Sequence, residues 1–169
     1  MLCIAVAGLA LLANIAPPVS AQQWTEVKGD GFKVEMPGPP ERSVQEVTVS
    51  GTGEVVDQIE CTVTLGATEY FFSRTPHRKM PADLTPAQML LNGRDGRPGH
   101  LLADRPLSVS GAPTRDYVHE EEGWILATRA IYAGDTLYQL IVVGKAGVQT
   151  APATRRFFES FAQAQRPAP

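Results

Sequence analysis

From about residue 22 onward, apolar and polar residues alternate with a period of two through most of the chain. The clearest stretch is Val55 to Leu65. There Ile59, Cys61, Val63 and Leu65 fall on one side, and Gln58, Glu60, Thr62 and Thr64 on the other. This is the pattern of a half-buried strand. Short strands are predicted at Trp24–Lys28 and Phe32–Met36, joined by a Gly29-Asp30-Gly31 turn. Pro37-Gly38-Pro39-Pro40 ends regular structure. Ser43–Ser50 has the β-branched content of a strand (Val44, Val47, Val49), and Thr68–Arg74 is a strand rich in aromatics (Tyr70, Phe71, Phe72). A second group follows at Arg105–Ser110, Ala112–Glu120, Trp124–Tyr132 and Thr136–Lys145. The last two form a hairpin around Ala133-Gly134-Asp135. Leu137, Tyr138, Leu140, Ile141, Val142 and Val143 are apolar on both alternating sides, so this strand is expected at the centre of a sheet covered on both faces.

Two segments break the period. Thr85-Pro86-Ala87-Gln88 reads as a helix start: Thr85 as cap, Pro86 at the first helical position, Gln88 at the capping-box position. Met89, Leu90 and Leu91 supply its apolar bulk, and Gly93, Gly96, Pro98 and Gly99 predict an early end. A second helix is predicted from about Ala151 to Gln163, with Phe157, Phe158 and Phe161 on one stripe. The helices have only the sheet to pack against. The expected fold class is therefore α+β, a mostly antiparallel sheet sandwiched between helices.

The first 21 residues follow a different rule. Met1 to Ala21 carries no charge, is apolar from Leu2 to Ala13, and ends in Val19-Ser20-Ala21, a small-x-small cleavage pattern. The apolar run is too short to span a bilayer, which needs about 20 residues. It is expected to be a signal peptide cleaved near Ala21, giving a periplasmic or secreted product without a transmembrane anchor. Residues 22–169 then form a single α/β domain, with about 163–169 as a frayed tail. Cys3 precedes the apolar run, so it is misplaced for lipidation. An export signal normally has Lys or Arg before the run. None is present, so the expected start is upstream of Met1, or the signal is weak.

Charge and cysteines narrow the function. A net charge of −3 gives no global field to hold nucleic acid. With Cys3 removed, only Cys61 remains, so no intramolecular disulfide can form. Cys61 points with Ile59 and Val63 and reads as a small core residue rather than a nucleophile. No serine lies in a G-x-S-x-G elbow. His77, His100 and His119 are scattered, without the close pair a zinc site usually has. Glu120-Glu121-Glu122 reads as a solvated turn, and Gly93–Gly99 lacks the spacing of a phosphate-binding loop. No catalytic, cofactor or metal residues are assigned. The densest basic cluster is Arg74, His77, Arg78 and Lys79, on a proline-bounded loop. It is the candidate contact for an anionic surface or an envelope protein partner.

Trp24 followed by Phe32-Lys33-Val34-Glu35-Met36-Pro37-Gly38-Pro39-Pro40 resembles the opening of many small exported bacterial proteins. Leu137–Gly144 followed by Phe157-Phe158-Glu159-Ser160-Phe161 resembles their end. These features resemble the PsbP-like fold, shared by the photosystem II extrinsic subunit PsbP, DcrB-type envelope lipoproteins and Mog-like proteins. The resemblance implies an antiparallel sheet between helices and a protein that acts by binding or assembly rather than catalysis. The motifs are structural and transfer no functional residues. The expected function is a non-catalytic envelope protein working through one face of the sandwich. Two alternatives stand beside it. One is a carrier of a small apolar ligand, held between sheet and helix by residues such as Tyr70, Phe72 and Trp124. The other is an enzyme with a composite site.

Overall fold

The computed structural model describes residues 23–163 apart from Asp30 and Ala82. The expected signal peptide and the last residues of the tail lie outside the described residues. The strands are β1 (Thr25–Gly29), β2 (Phe32–Met36), β3 (Glu41–Thr48), β4 (Val55–Leu65), β5 (Thr68–Pro76), β6 (His100–Val109), β7 (Ala112–Glu121), β8 (Trp124–Ala133), β9 (Thr136–Gly144) and β10 (Ala162–Gln163). The helices are α1 (Pro86–Asp95) and α2 (Pro152–Glu159), and a short 3-10 turn spans Val148–Thr150.

Seven strands form one antiparallel sheet in the order β3-β4-β5-β9-β8-β7-β6, and β1-β2-β10 form a second, small one. β9 is the middle strand of seven, where its two apolar sides put it. Tyr138, Leu140 and Val142 are buried on one side and Ile141 on the other. The edge strand β3 is polar and exposed along most of its length, which discourages pairing with other chains. The other edge, β6, tolerates Pro106 because it has a partner on one side only. β6 begins at His100, five residues before its predicted start. A register shift between Leu101 and Ala103 interrupts the alternation that would have marked this part. Gly99 leads into it at φ +89°, and a Cβ there would lie 2.4 Å from the Glu120 carbonyl oxygen, so only glycine fits this approach.

The expectation of a sheet sandwiched between helices needs correction. One face is closed by the small sheet together with α2. Phe32, Val34 and Met36 of β2 and Phe157 and Phe161 join Cys61, Phe72, Tyr138, Leu140 and Val142 in one core. On the opposite face α1 packs over β7 and β8, where Leu90 meets Tyr117, Ala130 and Tyr132. Length is the reason. Ten helical residues rise about 15 Å, whereas seven strands at about 4.8 Å spacing span roughly 29 Å. Neither helix can cover the sheet, and β1-β2-β10 does much of the work on the α2 side.

The predicted second helix also ends early. Ser160 stops it: its Oγ accepts from the Glu35 backbone N–H (2.9 Å) and donates to the Phe157 carbonyl (2.8 Å). The chain then turns outward, and Ala162 and Gln163 pair with Lys33 and Phe32. Phe161 drops into the core beside Tyr138, ring centroids 5.1 Å apart. At the start of α1, Thr85 caps as expected, accepting from the Gln88 N–H at 3.2 Å. The Gln88 side chain does not return to the cap; it donates to Asn92 Oδ1 at 3.0 Å.

Candidate functional site

Strand parity decides which side chains can meet. Cys61, Phe72, Leu140, Arg129 and Asp116 lie in register across the sheet, so they share the α2 side. The alternate positions share the α1 side: Gln58, Glu60 and Thr62 on β4, Phe71, Ser73 and Thr75 on β5, and Leu137 and Gln139 on β9.

This parity splits the basic cluster of the sequence. Arg74 is half-buried on β5 opposite Tyr138, on the α2 side. His77 is buried on the α1 side, its backbone N–H donating to the Asp135 carbonyl (2.5 Å) and its ring edge-on to Tyr132 at 5.8 Å. Arg78 and Lys79 are exposed, and the Lys79 backbone N–H donates to Glu54 Oε2 at 3.3 Å. The four residues do not form one surface.

The other sequence candidates also receive places. Cys61 is fully buried, and burial pushes its thiol pKa up while nearby Arg42 opposes the shift. His100 is exposed on β6, and His119 is buried on β7 with its ring 5.6 Å from that of Tyr117. Glu120 Oε1 accepts from the Gly123 N–H at 2.7 Å and so closes the β7–β8 turn. Among the described residues no group of three His, Cys, Asp or Glu is placed to hold a metal ion. Tyr70 and Phe72 are packed into the core, whereas Trp124 lies at a sheet end with Lys145 Nζ 3.6 Å from its ring centroid. These three do not line a common cavity.

Two arginine–aspartate clusters tie the layers together. On the α1 side Asp104 pairs with Arg94 of α1 and, at 2.6 and 2.5 Å, with Arg115 of β7. These partners, Arg115 foremost, hold the Asp104 carboxyl below its usual range against the cost of its partial burial. On the α2 side Asp116 takes both Arg129 Nε and Nη2 at 2.8 Å, and Arg129 Nη1 donates to the Phe158 carbonyl at 3.0 Å. Both clusters read as structural ties.

One concave feature that sequence reasoning missed lies on the α1 side. A groove of about 440 Å³ runs between α1, the end of β3 and strands β4, β5 and β9. Val47, Val49, Leu84, Met89 and Leu137 give it an apolar wall. Gln58, Thr75, His77, Asn92 and Gln139 add polar groups, and none of the lining residues described carries a charge. Gln58 Nε2 is committed to Thr75 Oγ1 at 2.6 Å. Nδ1 of His77 is buried and has no hydrogen-bond partner among the described residues. Such an atom costs roughly 1–3 kcal/mol. Burial lowers the His77 pKa below its ordinary value, with Glu54 opposing, so the ring is neutral at pH 7. The groove draws on five separate segments. The strand order and the packing of α1 bring them together, and no spacing within one segment announces it.

Comparison with known proteins bears on the fold. No family model matches the sequence, and no curated protein matches it. The solution structure of cyanobacterial PsbP from Synechocystis sp. PCC 6803 superposes with a TM-score of 0.54 at 12% identity, covering 88% of this chain and 97% of that one. A Pseudomonas aeruginosa protein of unknown function aligns at 16% identity and a TM-score of 0.44, covering 86% of this chain and 99% of that one. The β1-β2 opening, the central β9 and the closing aromatic helix are the elements on which the sequence resemblance rested. The chain has a PsbP-like fold.

Proposed function

We propose that this is an exported, non-catalytic binding protein that engages a partner through the α1 side of its main sheet. The observation that carries this reading is the difference between the two faces of β4, β5 and β9. On the α2 side Cys61, Val63, Tyr70, Phe72, Leu140 and Val142 are buried. On the α1 side Ser73, Thr75 and Ile141 are buried, but Glu60, Thr62, Phe71, Gln139 and Val143 are only half-buried. Phe71 is paired across the strands with Thr62 and the buried Ile141, with polar Glu69 and Ser73 on the same face of its own strand. A half-exposed aromatic within a polar surround is the anatomy of a binding patch. Arg78 and Lys79, exposed next to His77, lie within reach of an anionic group on a partner. The sequence readings of an apolar leader and a soluble product fit this role, and among the described residues no helix is long and apolar enough to cross a membrane.

The test is affinity capture of the 22–169 chain from envelope extracts, beside Phe71→Ala and Thr62→Arg. The reading predicts a partner whose recovery drops at least tenfold with either variant while the thermal midpoint stays close to wild type. An unchanged recovery with both variants sinks it.

A further inference from the structure

The groove under α1 has a chemical character of its own, independent of the surface patch around Phe71. Its volume of about 440 Å³ falls in the range of small-molecule sites, about 300–1,000 Å³. Its wall is apolar along Val47, Val49, Leu84, Met89 and Leu137. A charged ligand would find no counter-ion among the lining residues described, and leaving water without one is costly. A pure hydrocarbon would leave the polar groups unanswered. His77 is the most telling of these: more than nine-tenths buried, lining the groove, with one ring nitrogen unpartnered. A neutral imidazole presents one donor and one acceptor nitrogen. Buried polar atoms without partners are rare and call for an explanation.

We infer that this groove binds an uncharged amphipathic small molecule, its apolar body along Met89, Leu137 and Val47 and an N–H or O–H group directed at the His77 imidazole. Gln139 on β9 and Asn92 on α1 give the polar end a second pair of contacts. α1 forms the lid side of the site, and the Asp104 pairs with Arg94 and Arg115 hold that lid to the sheet.

The experiment uses two uncharged fluorescent probes on purified protein. N-phenyl-1-naphthylamine carries one N–H donor, and diphenylhexatriene carries none. Saturable binding of both, at one site per chain, is expected. Met89→Trp and the exposed-site variant Asn92→Trp, which fill the groove from α1, should each weaken both probes at least tenfold. His77→Phe keeps a ring but removes the nitrogens, so it should weaken the naphthylamine severalfold and leave diphenylhexatriene unchanged. Trp124→Ala, at the far sheet end, should change neither. Each variant is first shown to melt cooperatively, and Asn92→Trp serves if Met89→Trp does not fold. The inference is overturned if neither probe saturates, if binding survives the groove-filling variants, if Trp124→Ala abolishes it, or if His77→Phe weakens both probes equally.

Discussion

At the scale of single residues, His77 is where sequence and structure part most. In sequence it belongs to a basic run with Arg74, Arg78 and Lys79, and nothing local separates it from them. In the fold, parity sends Arg74 to one face and His77 to the other, and burial keeps His77 neutral. His119 shares this state: burial first, then Arg97 and Arg94, lower its pKa against the pull of Asp95 and Asp104. The consequence for stability has a definite sign. Below the ordinary histidine value of about 6.5, the unfolded chain takes up protons that the folded chain refuses. The histidine contribution to stability should therefore be flat from neutral pH upward and fall as pH drops below about 6.5, until the lowered folded-state values are reached. Each histidine contributes at most about 1.4 kcal/mol per pH unit within that window. Urea denaturation at several pH values should show the decline, and His77→Gln and His119→Gln should each flatten it. A stability that stays constant or rises as pH falls from 7 to 5.5 would contradict the buried, neutral assignment. Cys61 behaved as its neighbours implied: alternation with Ile59 and Val63 places it inward, and it is fully buried.

At the scale of elements, legibility followed alternation. β4, β8 and β9 alternate cleanly or are apolar on both sides, and all were readable. β6 was readable only in part, because an edge strand with a register shift exposes Leu101 and Leu102 as readily as polar residues. β10 was not readable, because two residues carry no periodicity. Its existence depends on Ser160 meeting Glu35, partners 125 residues apart in sequence. The same distance problem hid the tie between α2 and the sheet. Arg129 reaches Asp116 on β7 and the Phe158 carbonyl at once, and its guanidinium carbon stands 5.3 Å from the Phe158 ring centroid. Its side chain is only 12% exposed, whereas Arg105, the other partner of Asp116, is 71% exposed. Arg129→Met should cost about 1–3 kcal/mol, since it removes the bidentate partner of a partly buried carboxylate and leaves it only the exposed Arg105. Arg105→Met should cost less than about 0.5 kcal/mol. Urea midpoints of the two variants check this, and equal losses would show that the tie does not hold α2.

At the scale of the whole molecule, the alternating strands, the paired aromatic ends and the central β9 were enough to anticipate a PsbP-like fold. How the two faces are covered was not. A helix pattern states that a helix has an apolar side but not how much sheet it must cover, and the lengths of α1 and α2 only acquire meaning once seven strands stand side by side. From that mismatch come both features of functional interest on the α1 side: the half-buried patch around Phe71 and the groove ending at His77. The most direct test of the central claim, that the molecule works through this side, is photo-crosslinking in cells. A photoreactive residue is placed in turn at Thr62 and Phe71 on the α1 side, and at Glu46 and Glu159 on the opposite side. The account predicts a discrete adduct from Thr62 and Phe71 and none from Glu46 or Glu159. Adducts confined to Glu46 and Glu159 would contradict it.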